Sequence, residues 1–265
     1  MRAFFVSVPH SGEQVPDETP WLHGLPEPTL MRDVDRYVDL LYRPGVEAVQ
    51  APFVVTQWHR YVVDLNRLPE DVDEESVIGS KIPKGTHRRG IHWTVTTIGE
   101  QLMPEPITKQ AHDQLVEKYF LPFHEQIEAT YKSFKDSGAN KVYHLDAHSM
   151  PTFGTEAHRD PGKERPEIVV SDVKGTSCEV WYRDLVVESY KQAGFKVAVN
   201  WPYLGGRVTQ TYGHPDRGQH AVQVEMKRAL YMDETNKQLK TKNLTKIQSQ
   251  VKQALQSICK EMPQV

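Results

Sequence analysis

Cysteine is scarce in this chain. Only Cys178 and Cys259 occur among 265 residues, which excludes a disulfide framework as the source of stability. Both fall in segments that read as helical, so reduced packing thiols are expected. A basic surplus is missing too: 32 Lys and Arg against 35 Asp and Glu leave a net charge of -3. That balance argues against nucleic acid or anionic lipid as a partner. No apolar run approaches the roughly 18 residues of a membrane helix. The run in "MRAFFVSVPHSG" also falls short of the ~7 apolar residues of a secretory signal. A cytoplasmic protein with no membrane partner is expected; the composition is silent on oligomeric state. Gly205 and Gly206 are not followed by Gly-Lys-Ser/Thr, and there is no nucleophile elbow or kinase set, so those chemistries are set aside.

With 38% hydrophobic side chains the chain can bury a substantial core, and no shift in composition divides it, so a single domain over 1–265 is expected. Short apolar runs alternate with helical patterns, the signature of a layered α/β domain. The runs "AFFVSV", "FVVTQW", "YVVDLN", "KVYHLD", "EIVVSD", "FKVAVN" and "AVQVEM" read as strands, several ending in a polar residue. In "TLMRDVDRYVDLLY", Val34, Val38 and Leu41 are at helical spacing behind Thr29 as an N-cap. A second helix is expected from Thr176, boxed by Glu179, to Gly194. Between Ile107 and Phe134 the helical pattern contains Pro122, which should kink or split it. A last helix over about 243–261, with Leu244, Ile247, Val251, Leu255 and Ile258 on one stripe, should dock on the body. The stretch 68–93 is long, polar and aperiodic, as functional covers often are.

Polar residues gather where strands end. His10 and Glu13 follow the first strand in "VPHSGE"; Asp146, His148 and Ser149 close "HLDAHSM". Each histidine sits beside a carboxylate, at the strand ends where α/β sheets place their crevices. Two imidazoles and one carboxylate with an open position make up a catalytic zinc ligand set. Arg60, Asp64, Asn66 and Arg67 cluster in "RYVVDLNR", where an Arg beside an Asn suits a carboxylate. Glu225 alternates with Val224 and Met226, so it faces away from the apolar side of its strand, where a base would be needed. Arg207, Tyr212 and His214 add polar tips after the glycine pair. Each feature alone also fits a solvated turn or an edge strand.

Taken together and in order, "VPHSG", "RYVVDLNR", "YFLPFHEQ", "DAHSM", "GGRVTQTYG" and "VQVEMKRALYMDET" resemble the N-formylglutamate amidohydrolase family, from about residue 6 to 235. The resemblance implies a single three-layer αβα domain with a mixed, mostly parallel sheet like that of zinc carboxypeptidases. It also implies zinc, or another divalent ion, held by His10, Glu13 and His148. In the family the position of Glu13 is often not acidic while an acid matching Asp35 is usual, so Asp35 is the second choice of carboxylate. Asn66 and Arg67 are implied as substrate anchors, with Arg207 and Tyr212 beside them. Glu225 is implied as the base and Arg60 as a stabiliser of the oxyanion. The implied reaction is hydrolysis of a small-molecule N-acyl amino acid, foremost N-formyl-L-glutamate to formate and glutamate. Relatives in histidine degradation carry an Arg-His pair where this chain has Gln210 and Thr211. The alternatives are a zinc carboxypeptidase or amidase acting on another acyl amino acid or small peptide, and a binding protein that has lost its chemistry.

Overall fold

The computed structural model describes residues 2–263. Six strands form one sheet in the order β2-β1-β3-β6-β4-β5: β1 Phe4–Val8, β2 Phe53–Val55, β3 Val142–Met150, β4 Ile168–Ser171, β5 Val197–Val199 and β6 Gln219–Lys227. Neighbours pair in parallel except β4 against β6, so the sheet is mixed and mostly parallel. Helices cover both faces in three αβα layers, and a small hairpin, β7 Met232–Asp233 with β8 Gln238–Leu239, lies apart.

The two faces follow from the period of two along each strand. Val6 and Val8 of β1, Tyr143, Leu145 and Ala147 of β3, and Val222, Val224 and Met226 of β6 point to one side. There they meet α3 (Val38–Val49), α6 (Val180–Gln192) and α8 (Thr241–Glu261). The stripe Ile247, Val251, Leu255 and Ile258 of α8 is buried in that layer, as its spacing predicts. The opposite face carries the other residues of the same strands: Ser7, His144, Asp146, His148, Gln223 and Glu225, all buried. Over it lie α4 (Lys109–Leu115), α5 (Leu121–Asp136) and the long connection after β2. One face of one sheet is thus apolar and the other holds a buried polar column.

Pro122 acts as expected. It stands in the first turn of α5, and a π-helical turn over Val116–Phe120 joins α5 to α4. A proline there loses no hydrogen bond that the helix needs. Elsewhere the expectations need correction. The "YVVDLN" stretch is no strand: Val62 N bonds His59 O and Arg67 N bonds Asp64 O, making turns. Its residues are buried on all sides, and a short continuous apolar run does not reveal which element buries it. The helix expected behind Thr29 begins only at Val38, after Tyr37 takes φ 70; short turns α1 (Pro20–His23) and α2 (Glu27–Leu30) precede it. The break frees Asp35 from any helix. Thr176 does not cap α6, because its hydroxyl bonds Val173 O; Glu179 takes the N-cap position. Cys178 lies in the loop before α6 while Cys259 is in α8, and both are free thiols. No helix among the described residues is long and apolar enough to cross a membrane.

Candidate active site

β1, β3 and β6 end side by side, and their polar face opens into a cavity of about 360 Å³. His148 on β3 is in register with Glu225 on β6. His10 follows β1 by two residues, and the loop before α3 brings in Asp35, whose N–H donates to His10 O at 2.9 Å. His10 Nδ1 lies 3.5 Å and His148 Nδ1 3.0 Å from Asp35 Oδ2. These three donor atoms lie within 4.8 Å of one another, and all three residues are buried.

The arrangement fits a divalent ion on the chemistry of its donors. One ion bonded at about 2.1 Å to tetrahedral ligands separates them by roughly 3.4 Å, close to the two distances to Asp35. Each imidazole turns its far nitrogen to a carboxylate: His10 Nε2 to Asp64 Oδ1 at 2.7 Å, His148 Nε2 to Asp146 Oδ2 at 2.8 Å. A proton on each Nε2 leaves the Nδ1 lone pairs facing Asp35, which is how outer carboxylates orient metal-binding histidines. Asp146 is held in turn by the hydroxyl of Ser7 at 2.6 Å, its neighbour across β1 and β3. Asp64 accepts from Arg60 at 2.7 Å, Trp93 Nε1 at 2.9 Å and Asn66 N at 2.9 Å.

Three carboxylates in a dry interior require compensation. Burial by itself raises the pKa of Asp35, but hydrogen bonds from His10 and His148 and the charge of Arg228 hold it well below the usual range. Asp64 is kept low against its burial chiefly by Arg60 and His10. Burial disfavours a charged His148, yet Asp146 and Asp35 raise its pKa well above the ordinary value. A metal at Nδ1 therefore competes with a proton, and its affinity should fall with pH. Replacing Asp146 by Asn should lower metal affinity about 10- to 100-fold. Competition with a chelator checks this, with circular dichroism confirming the fold.

Glu225 stands in a different environment. Gln223 accepts from Gly206 N at 2.6 Å and so must donate its amide to Glu225 Oε1, at 2.8 Å. Oε2 has no hydrogen-bond partner among the described residues, and Glu225 lines the cavity. Burial, reinforced by the charge of Asp35, pushes its pKa up to about 7 against the pull of His148, Arg228 and Arg165. A carboxyl group near 7 is suited to taking up and returning a proton at neutral pH.

Asn66 and Arg67 are set in place by close packing. Asn66 Oδ1 accepts from Val208 N at 2.8 Å. A Cβ on Gly206 would come within 2.1 Å of Asn66 Nδ2, so only glycine allows that approach. Arg67 gives Nε to Arg89 O at 2.7 Å and Nη1 to Asn66 O at 2.8 Å, and both residues line the cavity.

Four predicted residues fall elsewhere or are otherwise engaged. Glu13, the first choice of acid ligand, does not join the histidines: Arg36 holds both its oxygens, at 2.7 and 3.1 Å. Arg60 lines the cavity, but one terminal nitrogen is given to Asp64 and the other to Asp33 O at 2.7 Å. It thereby holds Asp64, while its Nε makes no hydrogen bond among the described residues. Tyr212 is buried against α5, its hydroxyl bonded to His124 Nδ1 at 2.9 Å, away from the cavity. Arg207 lines an adjoining outer chamber. Sequence reasoning did not single out Arg228, whose Nη2 holds Asp35 Oδ1 at 3.0 Å, nor Trp93, Arg89 and Gln223. Only Gln223 carried a local signal, being two residues before Glu225 on the polar side of β6.

The fold and site define a class: an α/β protein whose parallel strands end at a buried two-histidine, one-carboxylate cluster faced by a buried glutamate. The sequence profile of the N-formylglutamate amidohydrolase family matches residues 2–232, and the chain belongs to that family. It is 26% identical over 234 residues to an N-formylglutamate deformylase of Pseudomonas putida, covering 87% of this chain and 82% of that one. It is 27% identical over 236 residues to the enzyme of that name from Pseudomonas aeruginosa, covering 86% and 82%. The crystal structure of N-formylglutamate amidohydrolase from Ralstonia eutropha JMP134 has the same fold. It superposes with a TM-score of 0.88 at 23% identity, covering 98% of this chain and 94% of that one.

Proposed function

We propose that this protein hydrolyses the amide bond of N-formyl-L-glutamate, releasing formate and glutamate, and that it is a zinc-dependent enzyme acting on a small molecule. The observation that carries the reading is the pairing of Glu225 with His148 across β3 and β6. It sets an unpartnered carboxyl oxygen against the one cavity that the His10, Asp35 and His148 cluster lines. The assignment of family and the names of the relatives support the same reaction.

His10, Asp35 and His148 would hold a divalent ion, which when bound would supply Lewis acidity for the carbonyl and lower the pKa of water. The chain's own groups do the rest. Glu225 Oε2 removes the water's proton as the C–O bond forms and delivers it to the departing nitrogen as the C–N bond breaks. Arg67 binds the α-carboxylate through its free Nη2, and Asn66 Nδ2 donates beside it, so the formyl group is presented in a fixed pose. Arg60 and Trp93 keep Asp64 on His10, which preserves the orientation of the imidazole. The deciding measurement is formate release from N-formyl-L-glutamate by metal-quantified protein, with and without chelator. Formate that appears only with metal bound supports the reading, and none under either condition rejects it.

A further inference from the structure

Not every arginine of the cavity is bonded to one of its acids. Four arginines line it: Arg60, Arg67, Arg89 and Arg228. Arg60 is spent on Asp64 and Asp33 O, and Arg228 on Asp35 and the main chain of Arg32. Two cations remain. Arg67 keeps Nη2 free, and the side chain of Arg89 makes no hydrogen bond or ion pair among the described residues. The two adjoin, since Arg67 Nε grips the carbonyl of Arg89 at 2.7 Å. Arg89 is partly buried, which disfavours its charge and lowers its pKa; the nearby Asp33 carboxylate opposes this, and the neighbouring Arg67 and Arg88 lower it further. Adjacent, half-buried guanidinium groups that bond no carboxylate among the described residues suit anions from outside the chain.

Arg89 also stands between two spaces. It belongs to the wall of the catalytic cavity and to that of a second, open chamber of about 600 Å³, which shares Arg67, Gly205 and Gly206 with the first. The outer wall of this chamber carries Arg207, tied to Gln210 at 3.2 Å. A molecule anchored by one carboxylate at Arg67 meets Arg89 on the way out.

We propose that Arg89 reads the side-chain carboxylate of a dicarboxylic N-acyl amino acid, so that two free guanidinium groups match the two anions of one substrate. The assignment deepens the amidohydrolase reading and rests on it. A site that binds a charged group through hydrogen bonds rejects the analogue that cannot supply it, so specificity for the acid over its amide is expected to depend on this residue.

The test compares kcat/KM for N-formyl-L-glutamate and N-formyl-L-glutamine on metal-loaded wild type, Arg89→Ala, Arg89→Lys and Arg67→Ala. Wild type should prefer the acid by about a hundredfold. Arg89→Ala should lose that preference by slowing the acid alone, Arg89→Lys should restore part of it, and Arg67→Ala should slow both substrates alike. Equal losses on both substrates in Arg89→Ala, or an unchanged ratio, overturn the proposal. Should wild type cleave neither compound, the amidohydrolase reading fails and calorimetric binding of glutamate and glutamine decides the role of Arg89. A preference for glutamate that disappears in Arg89→Ala upholds it, and equal affinities in wild type reject it.

Discussion

Replacing Glu225 by Gln should lower kcat about 10²- to 10⁴-fold, the range over which a positioned acid–base group contributes, while bound metal stays at the wild-type level. The change keeps shape and volume. It also keeps an oxygen to accept from Gln223, now at 2.8 Å from Glu225 Oε1, so the surrounding packing has no reason to move. What it removes is a carboxyl group facing the cavity with an unpartnered oxygen, poised to take and return a proton. KM should change little, because Glu225 makes its principal contribution only as bonds to the carbonyl carbon form and break. The pH profile provides a second readout. Glu225 must be ionised to accept a proton, so wild-type activity falls as pH drops through its pKa. Burial pushes that pKa up to about 7, and a cation at the adjacent cluster lowers it. The acid limb should therefore lie at or below 7 and vanish from the residual activity of Glu225→Gln. Activity within tenfold of wild type would remove Glu225 from the reaction.

The second large effect separates the two candidate acid ligands. Asp35→Asn should weaken metal binding beyond the 10- to 100-fold typical of an outer-shell partner and abolish detectable turnover, whereas Glu13→Gln should leave both unchanged. Asp35 is 1% exposed, accepts from Ser149 at 3.1 Å and Arg228 at 3.0 Å, and lies 3.0 Å from His148 Nδ1. Neutralising it also leaves Arg228 buried without its counter-charge, at a cost of about 3 kcal/mol. Glu13 is partly exposed and its pair with Arg36 is worth about 1 kcal/mol or less. Inductively coupled plasma analysis after chelator dialysis measures retention, and thermal melts of the metal-free proteins separate lost ligation from lost stability. Retention of metal by Asp35→Asn and its loss from Glu13→Gln would reverse the assignment.

The contrast between these two acids shows where a linear reading stops. Glu13 lies three residues from His10, and the family resemblance made that pair the first choice. After β1 the chain turns so that His10 points inward while Glu13 meets Arg36 near the surface. Asp35 was legible as an alternative only through the family resemblance, since its own surroundings read as the first turns of a helix. The positive φ at Tyr37 delays that helix to Val38, and the acid then lies in a loop that pairs with the main chain of His10. Tyr212 and Arg60 show the same limit. Each is a polar tip near the right motif, but the hydroxyl of Tyr212 is bonded to His124 away from the cavity, and the terminal nitrogens of Arg60 are given to Asp64 and Asp33 O.

The sequence by itself determined which side chains share a face. Strand periodicity put Asp146 and His148 on one side of β3 and Glu225 on one side of β6, opposite the valines and leucines of the core, because alternate residues of a strand must point in opposite directions. It also determined the split at Pro122 and the apolar stripe of the last helix, both of which follow from local geometry. Tertiary structure alone decided the partners: that β3 lies beside β6 in the register that faces His148 with Glu225, that Asp35 and not Glu13 reaches the histidines, and that the side chain of Arg89 bonds no carboxylate among the described residues. Those outcomes depend on strand order, loop path and the competition among buried charges for hydrogen bonds, and none of these is a property of neighbouring residues in the chain.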